Sequence, residues 1–223
     1  MKTARRNIAA PALLLCAALL PAQAAATSRE WRFEVFLDDK PVGFHAFRLS
    51  DAGEARELHS EARLRVKFLG LTIYDYAHRS EELWRDGCLQ RIDARTDDNG
   101  EDFYVRGDVS NGWLQVENAT GAAGLHGCVM TFAYWNPAIL RQQRLLNAQT
   151  GEYVDVSVQR LGESAPPQGG DRPAAHYRIR SADVAIDLWY SAEYDWLALS
   201  SITPDGYRLQ YRRVGATGSV QGE

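Results

Sequence analysis

The sequence predicts a mainly β, antiparallel architecture, on three observations. Apolar and polar residues alternate along most of the chain from Glu30 onward, the two-residue period of half-buried strands. Asn99-Gly100 and Asn111-Gly112 interrupt that alternation as tight-turn pairs, because both central residues accept positive φ. A helix start is signalled at Asn136-Pro137, where Asn caps and Pro fits the first turn. The expectation is a meander of about a dozen strands forming a curved sheet, barrel or half-barrel, with one main helix at about 137–148.

The N-terminus reads as a secretory signal. Lys2, Arg5 and Arg6 precede an apolar run from Ile8 to Leu20 that is too short to span a bilayer, and Ala22-Gln23-Ala24 is the small-x-small pattern of a cleavage site. Cleavage after Ala24 leaves 25–214 as a single β-rich domain and 215–223, nearly devoid of apolar residues, as a disordered tail. A lipid anchor on Cys16 is the weaker reading, since Leu15 stands where a small residue is needed. The chain is therefore expected to be exported, to the periplasm in a bacterial cell.

The strands follow in order. Trp31, Phe33, Val35 and Leu37 share one parity, Asp38-Asp39-Lys40 turns the chain, and Val42 to Leu49 completes a hairpin. Leu58, Ala62, Leu64, Val66 and Phe68 oppose His59, Glu61, Arg63, Arg65 and Lys67 across the next strand. Gly70 breaks that run, and Leu71 to Trp84 carries Tyr74, Tyr76 and His78 on one parity before Asp86-Gly87. Leu89 to Thr96, Asp102 to Val109 and Trp113 to Glu117 extend the meander, while Gly121 to Gly127 has no alternation and reads as irregular. In the expected helix, Ile139, Leu140, Leu145 and Leu146 are available for burial, with Gly151 near its stop. Val154, Val156 and Val158 resume a strand, and Gly162 to Pro173 reads as a loop. Ala174 to Arg180, Val184 to Tyr190, Trp196 to Ile202 and Tyr207 to Val214 close the chain, the last two joined at Pro204-Asp205-Gly206.

Composition excludes several classes of function. Removing Lys2, Arg5 and Arg6 from 25 basic residues leaves 22 against 29 acidic ones, a formal charge of −7. That balance argues against a nucleic-acid partner, and no later segment is long and apolar enough to be a transmembrane helix. Cys88 and Cys128 remain once the signal is removed, an even pair expected to form a disulfide in an oxidising compartment. His45, His59, His78, His126 and His176 are too scattered for a metal motif, so neither metal nor cofactor is expected.

Four short signatures occur in order: Asp39-Lys40-Pro41-Val42-Gly43, Glu82-Leu83-Trp84-Arg85-Asp86-Gly87, Tyr134-Trp135-Asn136 and Asp187-Leu188-Trp189-Tyr190. Together they resemble the uncharacterised secreted bacterial domain-of-unknown-function family 6134, itself similar to family 3108. The resemblance implies an antiparallel β protein of the cell envelope and transfers no catalytic residues. At Ser191-Ala192 the chain departs from an acidic residue followed by glycine.

No catalytic residue is assigned. There is no G-x-S-x-G elbow, and Gly162-Glu163-Ser164 lacks the closing glycine, although a triad is recognised by geometry that a sequence does not show. Tyr74, Tyr76, His78, Trp135 and Trp189 are the candidate ligand-binding residues; cross-strand packing is the plainer role for the first three. Arg63, Arg65, Lys67, Arg178, Arg180, Arg208 and Arg212 form either a cationic surface or a solvated face that discourages edge pairing. One helix is too little to cover so large a sheet, so the sheet must wrap its apolar side, completed by the helix or left as an aromatic cavity with Trp135 near its mouth. The first expectation is a non-enzymatic periplasmic protein that binds an apolar or amphipathic ligand, a hydrophobic small molecule or lipid. Alternatives are an envelope hydrolase or isomerase with a polar site in that cavity, and a structural partner lending a sheet edge to another envelope protein.

Overall fold

A computed structural model describes residues 28–167 and 173–214. The expected signal segment, the expected tail and part of the Gly162 to Pro173 stretch lie outside the described residues. Eight strands run first: β1 Ser28–Leu37, β2 Lys40–Ala52, β3 Ala55–Phe68, β4 Leu71–Arg85, β5 Cys88–Asp98, β6 Glu101–Ser110, β7 Trp113–Asn118 and β8 Gly121–His126. A 3-10 helix, Pro137–Arg141, and the short strands β9 Arg144–Leu146 and β10 Tyr153–Asp155 follow. β11 Ser157–Ser164, β12 Ala174–Arg180, β13 Ala185–Tyr190, β14 Trp196–Ile202 and β15 Arg208–Arg213 complete the order.

Thirteen strands form one antiparallel sheet in the order β11-β12-β13-β14-β15-β1-β2-β3-β4-β5-β6-β7-β8, and β9 and β10 form a separate two-stranded sheet, with Leu146 of β9 also bridging Thr131. Every neighbour is consecutive in sequence except β15 and β1, whose pairing (Val35 opposite Tyr211) splices the two ends of the chain into one surface. The sheet curves without closing; β8 and β11 are its free edges. The tight turns behave as their residues require: Asp86, Asn99 and Asn111 take φ of 52°, 56° and 52°, each followed by a positive-φ glycine.

The parity read from the sequence is the parity that is buried. Trp31, Phe33 and Val35, Phe47 and Leu49, Leu58, Trp84, Ile92 and Ala94, Val105, and Leu114 and Val116 turn to one side, where Ile179, Leu188, Tyr190, Trp196 and Leu199 meet them in a single core. At 25 cal/mol per Å², the three tryptophans that are almost wholly buried, Trp31, Trp84 and Trp196, are among its largest single contributions.

Two expectations are corrected. The main helix at 137–148 is absent: Asn136 caps as expected, accepting from the Ala138 amide at 3.1 Å, but the helix ends at Arg141 and Gln142 is already extended. At about 100° per residue, Ile139, Leu140, Leu145 and Leu146 would spread around a helix instead of forming one stripe. As a strand, β9 buries Leu145 and Leu146 on both of its sides, inside the concave face of the sheet. Residues 128–156 thus act as a plug, hung from the sheet by Cys88–Cys128 and by the Leu89 amide on the Val129 carbonyl at 2.9 Å. The stretch from Gly121 is also a strand and not irregular. Its six residues pair with β7 from Asn118 opposite Gly121 to Trp113 opposite His126, a ladder of backbone bonds that leaves no hydrophobic alternation to read.

Gly43 is a position that sequence and structure explain together. A bulge in β2 skips Val42, and at φ 154° a Cβ on Gly43 would lie 1.8 Å from the Arg63 carbonyl oxygen of β3. Only glycine permits that approach.

Candidate functional site

Where the plug does not fill the curved sheet, a cavity of about 250 Å³ remains. Strands β2, β3 and β4 supply His45, Phe47, Leu58, Ser60, Tyr76, His78, Ser80 and Glu82, each on the inward parity of its strand. The plug supplies residues 131–135 and 147–149, and Val184, Ile186 and Tyr211 close the opposite wall.

Its polar groups are mostly satisfied by one another. His45 Nδ1 lies 3.1 Å from the Tyr211 hydroxyl and Nε2 lies 2.8 Å from Ser60 Oγ. A phenol donates more readily than it accepts, so Tyr211 donates to Nδ1 and the Nε2 proton faces Ser60, the tautomer that does not activate a serine. His78 Nδ1 lies 2.8 Å from Thr96 Oγ1. Glu82, buried at the deep end, accepts from Ser80 Oγ at 3.0 Å, Trp84 Nε1 at 2.9 Å and Thr131 Oγ1 at 3.4 Å.

Burial governs the protonation of these groups. It pushes the Glu82 carboxyl up to about 7, against the lowering effect of its three hydrogen bonds. It pulls His78 down to about 4 and holds His45 well below the usual imidazole range, His78's nearby charge acting in the same direction. At neutral pH both imidazoles are uncharged.

The candidate residues separate. Tyr76 and His78 line the cavity and stack with centroids 6.4 Å apart. Tyr74 lies at the rim, its hydroxyl donating to Asp98 at 2.7 Å; Tyr76 donates to Gln149, which donates to the other Asp98 oxygen, so a polar chain borders the mouth. Trp135 belongs to the floor instead of the mouth, packed edge-on to Trp84 at 5.3 Å and tilted against Trp31 at 6.3 Å. Trp135 is 4% exposed, its ring held in the core by those two tryptophans. Trp189 is on the other face of the sheet, with Ala174 and Ala198, its ring stacked on His176 at 4.4 Å.

Beside Trp189 stands an arrangement the sequence did not disclose. Ser164 ends strand β11, its Oγ 3.2 Å from His176 Nδ1, and His176 Nε2 is 3.3 Å from Asp187. The elements of a triad are there, but Trp189 Nε1 already donates to Ser164, Arg178 grips both Asp187 oxygens, and buried Nε2 lacks an aligned hydrogen bond. The set braces β11, β12 and β13.

His45, Ser60, Ser80, Glu82 and Tyr211 are the cavity residues that sequence reasoning missed. Their signal was polar residues on an otherwise apolar parity, beginning with Ser60 between Leu58 and Ala62. Among the described residues, no group of three or more His, Cys, Asp and Glu is placed to hold a metal ion, and no helix is long and apolar enough to cross a membrane. Four of the seven basic residues singled out from the sequence are matched by acids. Arg63, Arg65, Arg178 and Arg212 pair with Glu61, Asp75, Asp187 and Asp39.

The sequence profile described as Domain of unknown function (DUF6134) matches residues 33–214, and the chain belongs to that family. Among solved structures it is similar to a beta-barrel-like protein of domain of unknown function DUF1849 from Brucella abortus. The TM-score is 0.60 at 12% identity, over 83% of this chain and 94% of that one, a likeness of fold alone. No curated protein matches the chain.

Proposed function

We propose that this family member is an exported, non-enzymatic protein that binds a small amphipathic molecule in the cavity between sheet and plug. One observation carries the reading: the polar lining is hydrogen-bonded largely to itself, with both imidazoles uncharged, and is set among aromatic and aliphatic side chains. Such a wall accepts a ligand's apolar part along Phe47, Leu58, Phe132 and Ile186, and its polar end near His78 and Glu82. At about 250 Å³ the cavity is below the ~300–1,000 Å³ of most drug-sized sites, so it suits one hydrocarbon chain or a compact amphiphile more than a whole phospholipid.

The experiment is mass spectrometry of small molecules extracted from protein purified from its native source, set beside Ala148→Trp, which plugs the cavity. A discrete amphiphile recovered from the native protein and lost in the variant supports the reading. Recovery of nothing, together with no binding of a fluorescent fatty-acid analogue, rejects it.

A second reading is an acid–base enzyme, favoured by Glu82, whose carboxyl near 7 is placed where a general acid or base works best. Turnover that vanishes in Glu82→Gln, without loss of folded protein, would select it.

A further inference from the structure

We propose that the β3–β4 hairpin is a membrane-docking element whose apolar tip enters the surface of an anionic phospholipid bilayer; this rests on the ligand-binding reading only for the ligand that docking would deliver.

On its β5 side the hairpin outgrows its neighbour. Pairing of β3 with β2 ends at Leu64, and pairing of β4 with β5 starts at Tyr76, so everything between is a free two-stranded ribbon. The β5–β6 turn reaches only the level of Asp75, where the Asn99 amide meets its carbonyl at 2.8 Å. At about 3.3 Å per residue the ribbon projects roughly 13 Å further. Its end is the most exposed apolar surface among the described residues: Leu69 is 87% exposed, Leu71 72% and Ile73 58%.

The turn itself departs from the Asp-Gly and Asn-Gly pairs of three other hairpins in this chain. Leu69 takes φ 48° before Gly70, the position filled by Asp86, Asn99 and Asn111 elsewhere in this chain. A leucine there is strained where Asn would be at ease, and it contacts nothing that repays the strain. Local rules broken without a packing gain mark functional positions.

Charge and shape select the occupant. From Val66 to Tyr74 the only charged residue is Lys67, exposed and without an ion pair among the described residues, while Arg65 at the base is matched by Asp75. The acids of the β5–β6 turn lie further from the tip than a physiological Debye length of about 8 Å. A narrow convex wedge with apolar side chains, one lysine and a tyrosine at its root has the pattern of an interfacial anchor. The β14–β15 hairpin turns at the same end, its Arg208 carbonyl accepting from Asp38 of the adjoining turn, and presents Ile202 and Tyr207, 56% and 50% exposed. Tyr74 and Tyr76 run from the ribbon into the rim, so docking would set the cavity's mouth against lipid.

Co-sedimentation with vesicles of phosphatidylglycerol and phosphatidylethanolamine tests this on the whole mature chain. The protein is expected to pellet with them; Leu69→Asn/Leu71→Asn should weaken binding at least about tenfold without lowering the melting temperature, since Asn relieves the turn. Lys67→Glu should weaken it by about fivefold or more. Ala148→Trp should pellet like the parent, which separates failure of docking from failure of ligand binding. The proposal is overturned if the parent stays in the supernatant or the double variant pellets unchanged. It is equally overturned if the tip changes abolish self-association in the absence of vesicles, which would make the tip a protein contact.

Discussion

The indole N–H of Trp84 donates at 2.9 Å to the carboxyl of Glu82, two residues earlier on the same inward face of β4. An acid that would be expensive to bury alone is held by a tryptophan that itself needs an acceptor, and Ser80 and Thr131 complete the shell. Thr131 belongs to the plug, so this carboxyl joins sheet to plug through hydrogen bonds.

Glu82 makes stability fall as pH rises. Its folded pKa, about 7, exceeds the ordinary 4.5, so the folded state holds the proton more tightly, and its contribution is full below pH 4.5 and lost as pH passes 7. Over that window the loss is roughly 3 kcal/mol. Denaturant melts from pH 5 to 8 should show this slope in the parent relative to Glu82→Gln; parallel curves would contradict it.

His45 and His78 act oppositely. Both are depressed by burial, so their contribution is present above the ordinary 6.5 and disappears at lower pH, for His78 as pH falls through about 4. Replacing His78 with Asn, which keeps a partner for Thr96, should flatten the acid limb of the stability curve between pH 6.5 and 4.

Trp84→Phe removes one donor that lowers the Glu82 pKa, and so should raise that pKa further above 7, read by carbon NMR of the labelled carboxyl. Stability should also drop, because a buried acceptor loses its partner, by about 1–3 kcal/mol.

Cys88–Cys128 closes a loop of sequence separation 40 at the point where the plug leaves the sheet. On the chain-entropy model its reduction costs up to about 4 kcal/mol. Urea melts with and without dithiothreitol, compared with Cys88→Ala/Cys128→Ala, should show equal losses.

Gly43→Ala should be far more damaging than its size suggests. The new Cβ would meet the Arg63 carbonyl at 1.8 Å, and backbone cannot swing aside as a side chain does, so the loss should exceed the ~1–2 kcal/mol of an unfavourable φ alone. Thermal melts measure it, and a fall below 1 kcal/mol would mean that β2 can move off β3.

The antiparallel meander, the inward parity of its strands, the positive-φ turns, the Asn136 cap and the Cys88–Cys128 pair are all legible in the sequence alone. Each is a matter of local chemistry: a two-residue period, a residue at ease with φ above zero, a side chain one turn from an orphan amide, two thiols of even count. Long-range packing is what joins β15 to β1, makes a strand of Gly121 to His126, and places Leu145 and Leu146 in a strand buried on both sides. The same packing makes Trp135 floor, buries Trp189 on the opposite face of the sheet, and brings His45, Ser60, Glu82 and Tyr211 together. Those outcomes depend on how far a sheet curls and on what its neighbours cover, and no window of consecutive residues carries that information.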